Sequence, residues 1–167
     1  MNLRISLLAL VAAGIVSRSA PAATSATSSA TATLVTAVSV AKTADLNFGQ
    51  IVAGVSLGTV VLPGSASPTR SFTGGVVPGN ATGMAAAAFS VTGQANASYA
   101  ITLPGSSTIT FSANTMTVNT FTSTPSATGT LSSGGTQTLY VGGTLNAAAN
   151  QVQGIYTGTF NVTVAYN

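Results

Sequence analysis

The chain has 167 residues, of which 46% are hydrophobic and 3% are charged, and it contains neither cysteine nor histidine. Asp45 is its one acidic side chain. This composition excludes disulfides, a zinc site, a carboxylate-clustered calcium site and hydrolysis by paired carboxylates within one subunit. A serine nucleophile would find a base only in Lys42 or Asp45. We therefore predict no catalytic, cofactor-binding or metal-binding residues, and no enzymatic activity.

The first 22 residues have the layout of a secretory signal peptide. Arg4 precedes the apolar run 5–16, and Ala20-Pro21-Ala22 forms a small-x-small cleavage site. A membrane-spanning helix needs about 20 apolar residues, so this run is too short for an anchor. We predict that residues 1–22 are cleaved, with no stable membrane insertion afterwards. The mature protein would then lie in the periplasm, at the cell surface or outside the cell.

Cleavage would leave few charges. Lys42, Asp45 and Arg70 would remain, two cations and one carboxylate, for a net charge of +1. Nucleic-acid binding needs a basic patch, so we predict no nucleic-acid partner. The next stretch, 23–33, is the low-complexity sequence ATSATSSATAT and predicts a flexible segment. We predict that residues 34–167 form a single β-sandwich domain.

The remaining chain predicts short strands separated by glycine, proline or asparagine. Threonine and valine dominate these segments, and no stretch shows a helical apolar stripe. The pattern is typical of an antiparallel sandwich or barrel. The predicted strands are 31–41, 46–52, 56–62, 71–77, 87–92, 98–103, 108–112, 115–122, 136–141 and 155–166.

The second of these strands carries a break. Leu46 and Phe48 alternate with polar Asn47, and Gly49 then shifts the phase. We predict a bulge or sharp bend at Gly49, with Leu46 and Phe48 entering one part of the core and Ile51 another. Lys42 and Asp45 are interpreted as a pair across a turn.

The last predicted strand shows the clearest alternation. One face presents Tyr156, Gly158, Phe160, Val162, Val164 and Tyr166, while the other face is polar or small. A strict period of two predicts a half-buried strand. Together with Leu46, Phe48 and Gly49, these residues form the predicted structural set.

The strands also carry few of the charges that usually guard sheet edges. Soluble proteins protect such edges with lysine, proline or bulges. One interpretation is that an edge is meant to receive a strand from a partner. The other is that exported surface proteins are simply rich in threonine and poor in charge. Composition alone does not choose between them.

Several motifs together resemble a known family. LNFGQIVAG begins at Leu46, and the ending GIYTGTFNVTVAYN spans residues 154–167. From about Thr31 to Asn167 the chain resembles a bacterial exported family catalogued only as domain of unknown function 4402. More distantly it is similar to chaperone–usher pilins and spore-coat-U-like domains. Those relatives place a donor strand of larger apolar residues where this chain has only alanine in 23–33.

The resemblance implies an immunoglobulin-like antiparallel β-sandwich of the pilin type, either complete or lacking one strand. It implies self-association, or contact with a periplasmic chaperone and an usher. The leading hypothesis is an exported structural subunit of a bacterial surface filament or coat, assembling by β-strand addition. The alternatives are a self-contained secreted β-domain without an assembly role, and a surface adhesin or carbohydrate-binding module.

Overall fold

A computed structural model describes residues 21–167 of the chain. The predicted signal peptide falls almost entirely on residues 1–20, which lie outside this range. Residues 21–33 belong to one unit, in which they are exposed and have no regular secondary structure. Residues 34–167 form a second, compact unit.

The compact unit consists of ten strands, and every pairing between them is antiparallel. The strands are β1 (Ser39–Ala44), β2 (Ile51–Leu62), β3 (Ser71–Pro78), β4 (Ala87–Thr92), β5 (Ser98–Thr102), β6 (Ser106–Phe111), β7 (Asn114–Thr124), β8 (Thr128–Thr130), β9 (Thr136–Ala147) and β10 (Thr163–Tyr166). The all-β antiparallel class is therefore confirmed. Among residues 21–167, no helix is long and apolar enough to span a membrane.

Strand β9 organises the larger, seven-stranded sheet. One edge of β9 pairs first with β4, at 136–141, and then with β2, at 143–147. Its other edge pairs with β7. Outside these lie β1 beyond β4, β3 beyond β2 and β6 beyond β7. The smaller sheet has the order β10-β5-β8, and the two sheets pack as a sandwich.

The core has two parts. The first lies between the β1-β4-β9 region and the smaller sheet, and its fully buried residues include Val91, Tyr99 and Leu139. The second covers the inner face of the region built from β3, β2, β9, β7 and β6. Its centre is formed by the buried residues Val60, Leu62, Val76, Met116, Val118 and Leu145.

Two predicted strands are longer than the observed ones. The strand predicted from Thr31 starts only at Ser39, because its partner β4 ends at Thr92, opposite Ser39. The strand predicted over 155–166 is continuously paired only from Thr163 to Tyr166, apart from an isolated bridge between Thr157 and Thr110. Pairing stops where the neighbouring chain passes through Pro104 and Gly105, because proline has no N–H to donate.

Elsewhere the predicted boundaries shift. The predicted strand 46–52 is mostly irregular, and its last two residues join 56–62 in the single long strand β2. The strand predicted over 136–141 continues to Ala147. The short strand β8 was not predicted, because its segment Thr128–Thr130 contains a glycine and follows a proline-containing loop.

Candidate functional site: an open apolar groove

A groove of about 1240 Å³ opens over the second part of the core. Its two walls are the segments 44–53 and 151–160. Its floor comes from β6, β7 and β9, through Ile109, Met116, Val118, Phe121, Leu145 and Ala147. Among the described residues, no strand of the smaller sheet pairs with either wall, so the sandwich is open along this line.

The first wall contains three of the predicted structural residues. Phe48 is 9% exposed and packs into the second part of the core, while Leu46 contacts both parts. Gly49 has a φ of +69°, so the chain takes a left-handed conformation at the position of the predicted bend. The prediction that Ile51 enters a different part of the core from Phe48 is wrong. Both contact the same cluster, because the left-handed turn at Gly49 restores the phase of the chain.

Arg70 holds this bend in place. Its Nη1 donates hydrogen bonds to the backbone oxygens of Phe48, at 2.7 Å, and Gln50, at 2.8 Å. Its Nη2 donates to the oxygen of Gly79 at 3.3 Å, and its guanidinium lies 5.3 Å from the centre of the Phe72 ring. Sequence reasoning missed this role. The available signal was a lone cation in a chain with almost no acids to pair with it.

The two charged residues of the predicted turn lie at the groove. Lys42 and Asp45 both line it, and their side chains pair at 2.5 Å while remaining largely exposed. An exposed pair of this kind contributes about 0–1 kcal/mol. The pair therefore leaves the groove with almost no net charge and contributes little to the free energy of unfolding.

The second wall is fixed at its start by a small polar network. The hydroxyl of Tyr156 donates to the oxygen of Val152 at 2.7 Å and accepts from Nε2 of Gln151 at 2.8 Å. The Tyr156 ring lies 5.7 Å from that of Phe111. These contacts hold the loop before Tyr156 in a compact form at one end of the groove.

The middle of this wall approaches β6 closely. Thr157 and Thr110 exchange two backbone hydrogen bonds, at 2.8 and 3.0 Å. A Cβ on Gly158 would lie 2.4 Å from the backbone oxygen of Thr108, which no side chain could tolerate. Glycine at 158 therefore permits this close approach, and the G-x-Y-x-G part of the motif has a packing reason.

Beyond Gly158 the wall is extended, and its backbone accepts one side-chain hydrogen bond, from Oγ of Ser107 to the oxygen of Thr159 at 2.7 Å. Residues 158–162 form no backbone–backbone hydrogen bond with any described residue. Phe160 is half-buried, with its ring 5.0 Å from Phe121 and 6.3 Å from Phe89. The side chains from Tyr156 to Tyr166 keep the predicted alternation, except that Gly158 is exposed. The segment thus has the shape of a strand without the pairing of one.

Most of the predicted structural residues line the groove. Leu46, Phe48, Gly49, Tyr156, Gly158 and Phe160 all line it. Val162, Val164 and Tyr166 pack against the first part of the core instead. The Tyr166 hydroxyl donates to the oxygen of Thr36 and accepts from the N–H of Gln94, both at 2.6 Å.

The groove offers apolar surface, exposed backbone and a few amides and hydroxyls. Within residues 21–167, no group of three or more histidine, cysteine or acidic side chains is placed to hold a metal ion. Extended peptides bind to such sites by adding a strand, with main-chain hydrogen bonds for affinity and alternate side chains for specificity. The geometry therefore suits an uncharged, extended chain.

Comparison with known proteins identifies one family. The family described as Domain of unknown function (DUF4402) matches residues 38–166, which include every strand and both walls of the groove. No curated protein and no solved structure matches the chain. Because the match covers well over half of the sequence, the chain belongs to the DUF4402 family.

Proposed function

We propose that this protein is an exported structural subunit of a bacterial surface filament or coat, and that it assembles by β-strand addition at the groove. One observation carries the proposal. The groove is lined by the exposed apolar side chains of Val52, Val152 and Ile155, and it runs beside residues 158–162, which form no backbone–backbone hydrogen bond with any described residue. An added strand would cover these side chains and pair with this backbone.

The energetics favour occupation. Each apolar side chain that becomes fully buried contributes about 1.5–3 kcal/mol. Each backbone hydrogen bond contributes a net value of about 0.5–1.5 kcal/mol. An added strand gains both terms at once, whereas solvent in the groove provides only the hydrogen bonds.

The same proposal accounts for the scarcity of charge. A filament built from strands needs edges that accept other strands, and charged residues would block them. We also propose that the topology is immunoglobulin-like and incomplete in the free subunit. In addition, we propose that a strand of a periplasmic chaperone occupies the groove before an usher delivers the subunit.

The test measures assembly of the protein exported to a bacterial periplasm. Light scattering at increasing concentration should give masses that are multiples of one subunit. Val152→Lys places a charge on the groove lining and should reduce assembly, since Val152 is 49% exposed there. Val77→Lys is the matched control, because Val77 is 52% exposed but lies outside the lining.

A folded wild-type protein that stays monomeric at every concentration would overturn the proposal. That result would support the self-contained secreted β-domain. Equal assembly of Val152→Lys and Val77→Lys would also contradict it, because the groove would then play no part.

A further inference from the structure

We propose that the β2–β3 hairpin carries an apolar knob that inserts into the acyl-chain layer of a membrane surface. The knob consists of residues 54–57 of β2, from which Val55 and Leu57 project. Val55 is 86% exposed and Leu57 is 72% exposed, and neither lines the groove or packs against either part of the core. The inference goes beyond the proposed function and does not depend on strand addition at the groove.

The knob is a large bulge in the pairing of β2 with β3. Ala53 lies opposite Val76, and regular pairing resumes with Gly58 opposite Gly74. The knob residues of β2 therefore face only Gly75 on the partner strand. Bulges of this kind redirect side chains. This one directs two large apolar side chains away from the core and into solvent.

Glycines hold the two strands close together at the knob. A Cβ on Gly54 would lie 2.5 Å from the oxygen of Gly75, which no side chain could tolerate. A Cβ on Gly74 would meet the oxygen of Leu57 more closely still, and φ is +64° there. The N–H of Asn150 donates to the oxygen of Gly54 at 2.8 Å. The backbone of the knob is therefore packed and hydrogen-bonded, and it presents its side chains in a fixed position.

The surroundings of the knob are apolar and uncharged. Val77 is 52% exposed and lies opposite Val52, which is three residues before Val55. No charged residue lies between Asp45 and Arg70 in the sequence, and none follows Arg70. Exposed apolar patches on folded proteins mark contacts with other proteins or with membranes.

The size and position of the patch disfavour a protein partner. Three aliphatic side chains expose far less than the roughly 800 Å² per partner that a stable protein interface buries. They include none of the tryptophan, tyrosine or arginine anchors that dominate such interfaces. Strand β3 lies at an edge of the larger sheet, but Gly74 has a positive φ and Pro78 ends the strand. Both features disfavour pairing with another strand.

A lipid surface requires neither a matched shape nor strand pairing, because the hydrophobic effect is non-directional. The side chains of Val55, Leu57 and Val77 together carry somewhat fewer carbon atoms than a myristoyl chain, which alone binds membranes with an association constant of about 10⁴ M⁻¹. We expect each subunit to bind reversibly, at or below that strength. An assembled filament or coat would present many knobs to one surface and bind it more tightly.

Vesicles of phosphatidylcholine test the inference on the exported protein. The protein is titrated with vesicles, and flotation measures the bound fraction. Val55→Ser/Leu57→Ser should weaken the association about tenfold or more, because two apolar side chains no longer enter the hydrocarbon. Leu34→Ser/Val35→Ser is the matched control, since it removes the same two side-chain types from positions that are 99% and 57% exposed. The control should bind like the wild type, and both variants should unfold at the wild-type temperature, because none of these side chains is buried.

Fluorescence gives a second readout, because the wild-type chain has no cysteine. A polarity-sensitive dye on Val55→Cys should shift its emission to the blue when vesicles are added. The same dye on Val35→Cys should not shift. Added salt, or replacement of part of the lipid by anionic phosphatidylglycerol, should leave both results unchanged, because the knob carries no charge.

The contrary outcomes are specific. Equal binding by the two double variants would show that the knob is not the contact. No binding of the wild type at about 1 mM lipid, where a myristoyl chain is largely bound, would overturn the inference. So would binding that requires anionic lipid and falls with salt. If Val55→Ser/Leu57→Ser changes the mass measured by light scattering but not vesicle binding, the knob contacts a protein instead. None of these results bears on strand addition at the groove.

Discussion

The guanidinium of Arg70 donates a 2.7 Å hydrogen bond to the backbone oxygen of Phe48, whose side chain lies at the edge of the groove. Arg70 follows the loop after β2, whereas Phe48 precedes that strand. The bond therefore joins the segment before β2 to the end of the loop between β2 and β3. Because Arg70 also binds Gln50 and Gly79, one side chain orders three separate backbone carbonyls.

Replacing Arg70 should weaken the wall of the groove. Arg70→Met keeps a long side chain of similar reach but loses the guanidinium over Phe72 and every donor, and we expect a loss of about 2 kcal/mol in the free energy of unfolding. Arg70→Lys should recover only part of it, because an ammonium group cannot reach three carbonyls as a planar fork does. Urea denaturation measures both. Lys42→Met, which removes an exposed pair, should cost less than about 1 kcal/mol. Equal losses for Arg70→Met and Lys42→Met would contradict this account.

The bend beside Phe48 requires glycine. Gly49→Ala should destabilise the domain by about 1–3 kcal/mol, because φ is +69° there and alanine rarely adopts that conformation. The new Cβ would also lie 3.0 Å from Nη1 of Arg70 and 3.1 Å from the oxygen of Asn80. Gly49→Val should be worse, since its branches crowd the same atoms.

Gly105→Ala is the matched control for this change. A Cβ on Gly105 would meet no atom within 4 Å, and its φ is not positive. We expect unfolding midpoints close to that of the wild type. If Gly49→Ala unfolds at the same denaturant concentration as Gly105→Ala, the bend does not constrain residue 49.

The sequence predicted the strands best where apolar alternation coincides with pairing. The strand at 87–92 has the predicted bounds, and the bend at Gly49 was readable from a phase shift. Apolar alternation does not show whether the neighbouring segment has backbone N–H groups to donate. Residues 158–162 alternate as well as Thr163–Tyr166, yet they face Pro104 and Gly105 and remain unpaired. The sequence did not predict the groove for the same reason. The groove forms where a wall segment has no neighbouring strand, and apolar alternation does not show this.

Alkaline pH should reveal the burial of Tyr99. Burial raises the pKa of this tyrosine above its usual value of about 10. Its side chain is 0% exposed, and its hydroxyl donates to Oε1 of Gln137 at 2.7 Å. Above the usual pKa the unfolded chain loses this proton before the folded domain does. The contribution of Tyr99 to stability is therefore constant below about pH 10 and falls as the pH rises towards the folded pKa.

Tyr99→Phe isolates this effect. The variant should lose about 1 kcal/mol at neutral pH, because the hydrogen bond to Gln137 disappears. Its stability should then fall less steeply than that of the wild type above about pH 10. Denaturant unfolding at a series of pH values measures both slopes. Identical slopes for the two proteins would show that Tyr99 ionises equally in the folded and unfolded states.

Hydrogen exchange should distinguish the unpaired wall from the paired strand that continues it. Residues 158–162 have no backbone–backbone hydrogen bond to the described chain, whereas Thr163–Tyr166 pair with β5. In dilute monomer we expect the amides of 158–162 to exchange at least about tenfold faster than those of Thr163–Tyr166, because protection requires hydrogen bonds that must open. Mass spectrometry of peptides covering the two stretches gives the rates.

On assembly the amides of 158–162 should become protected, since an added strand supplies their missing acceptors. Equal protection of both stretches in the monomer would mean that this wall is already paired.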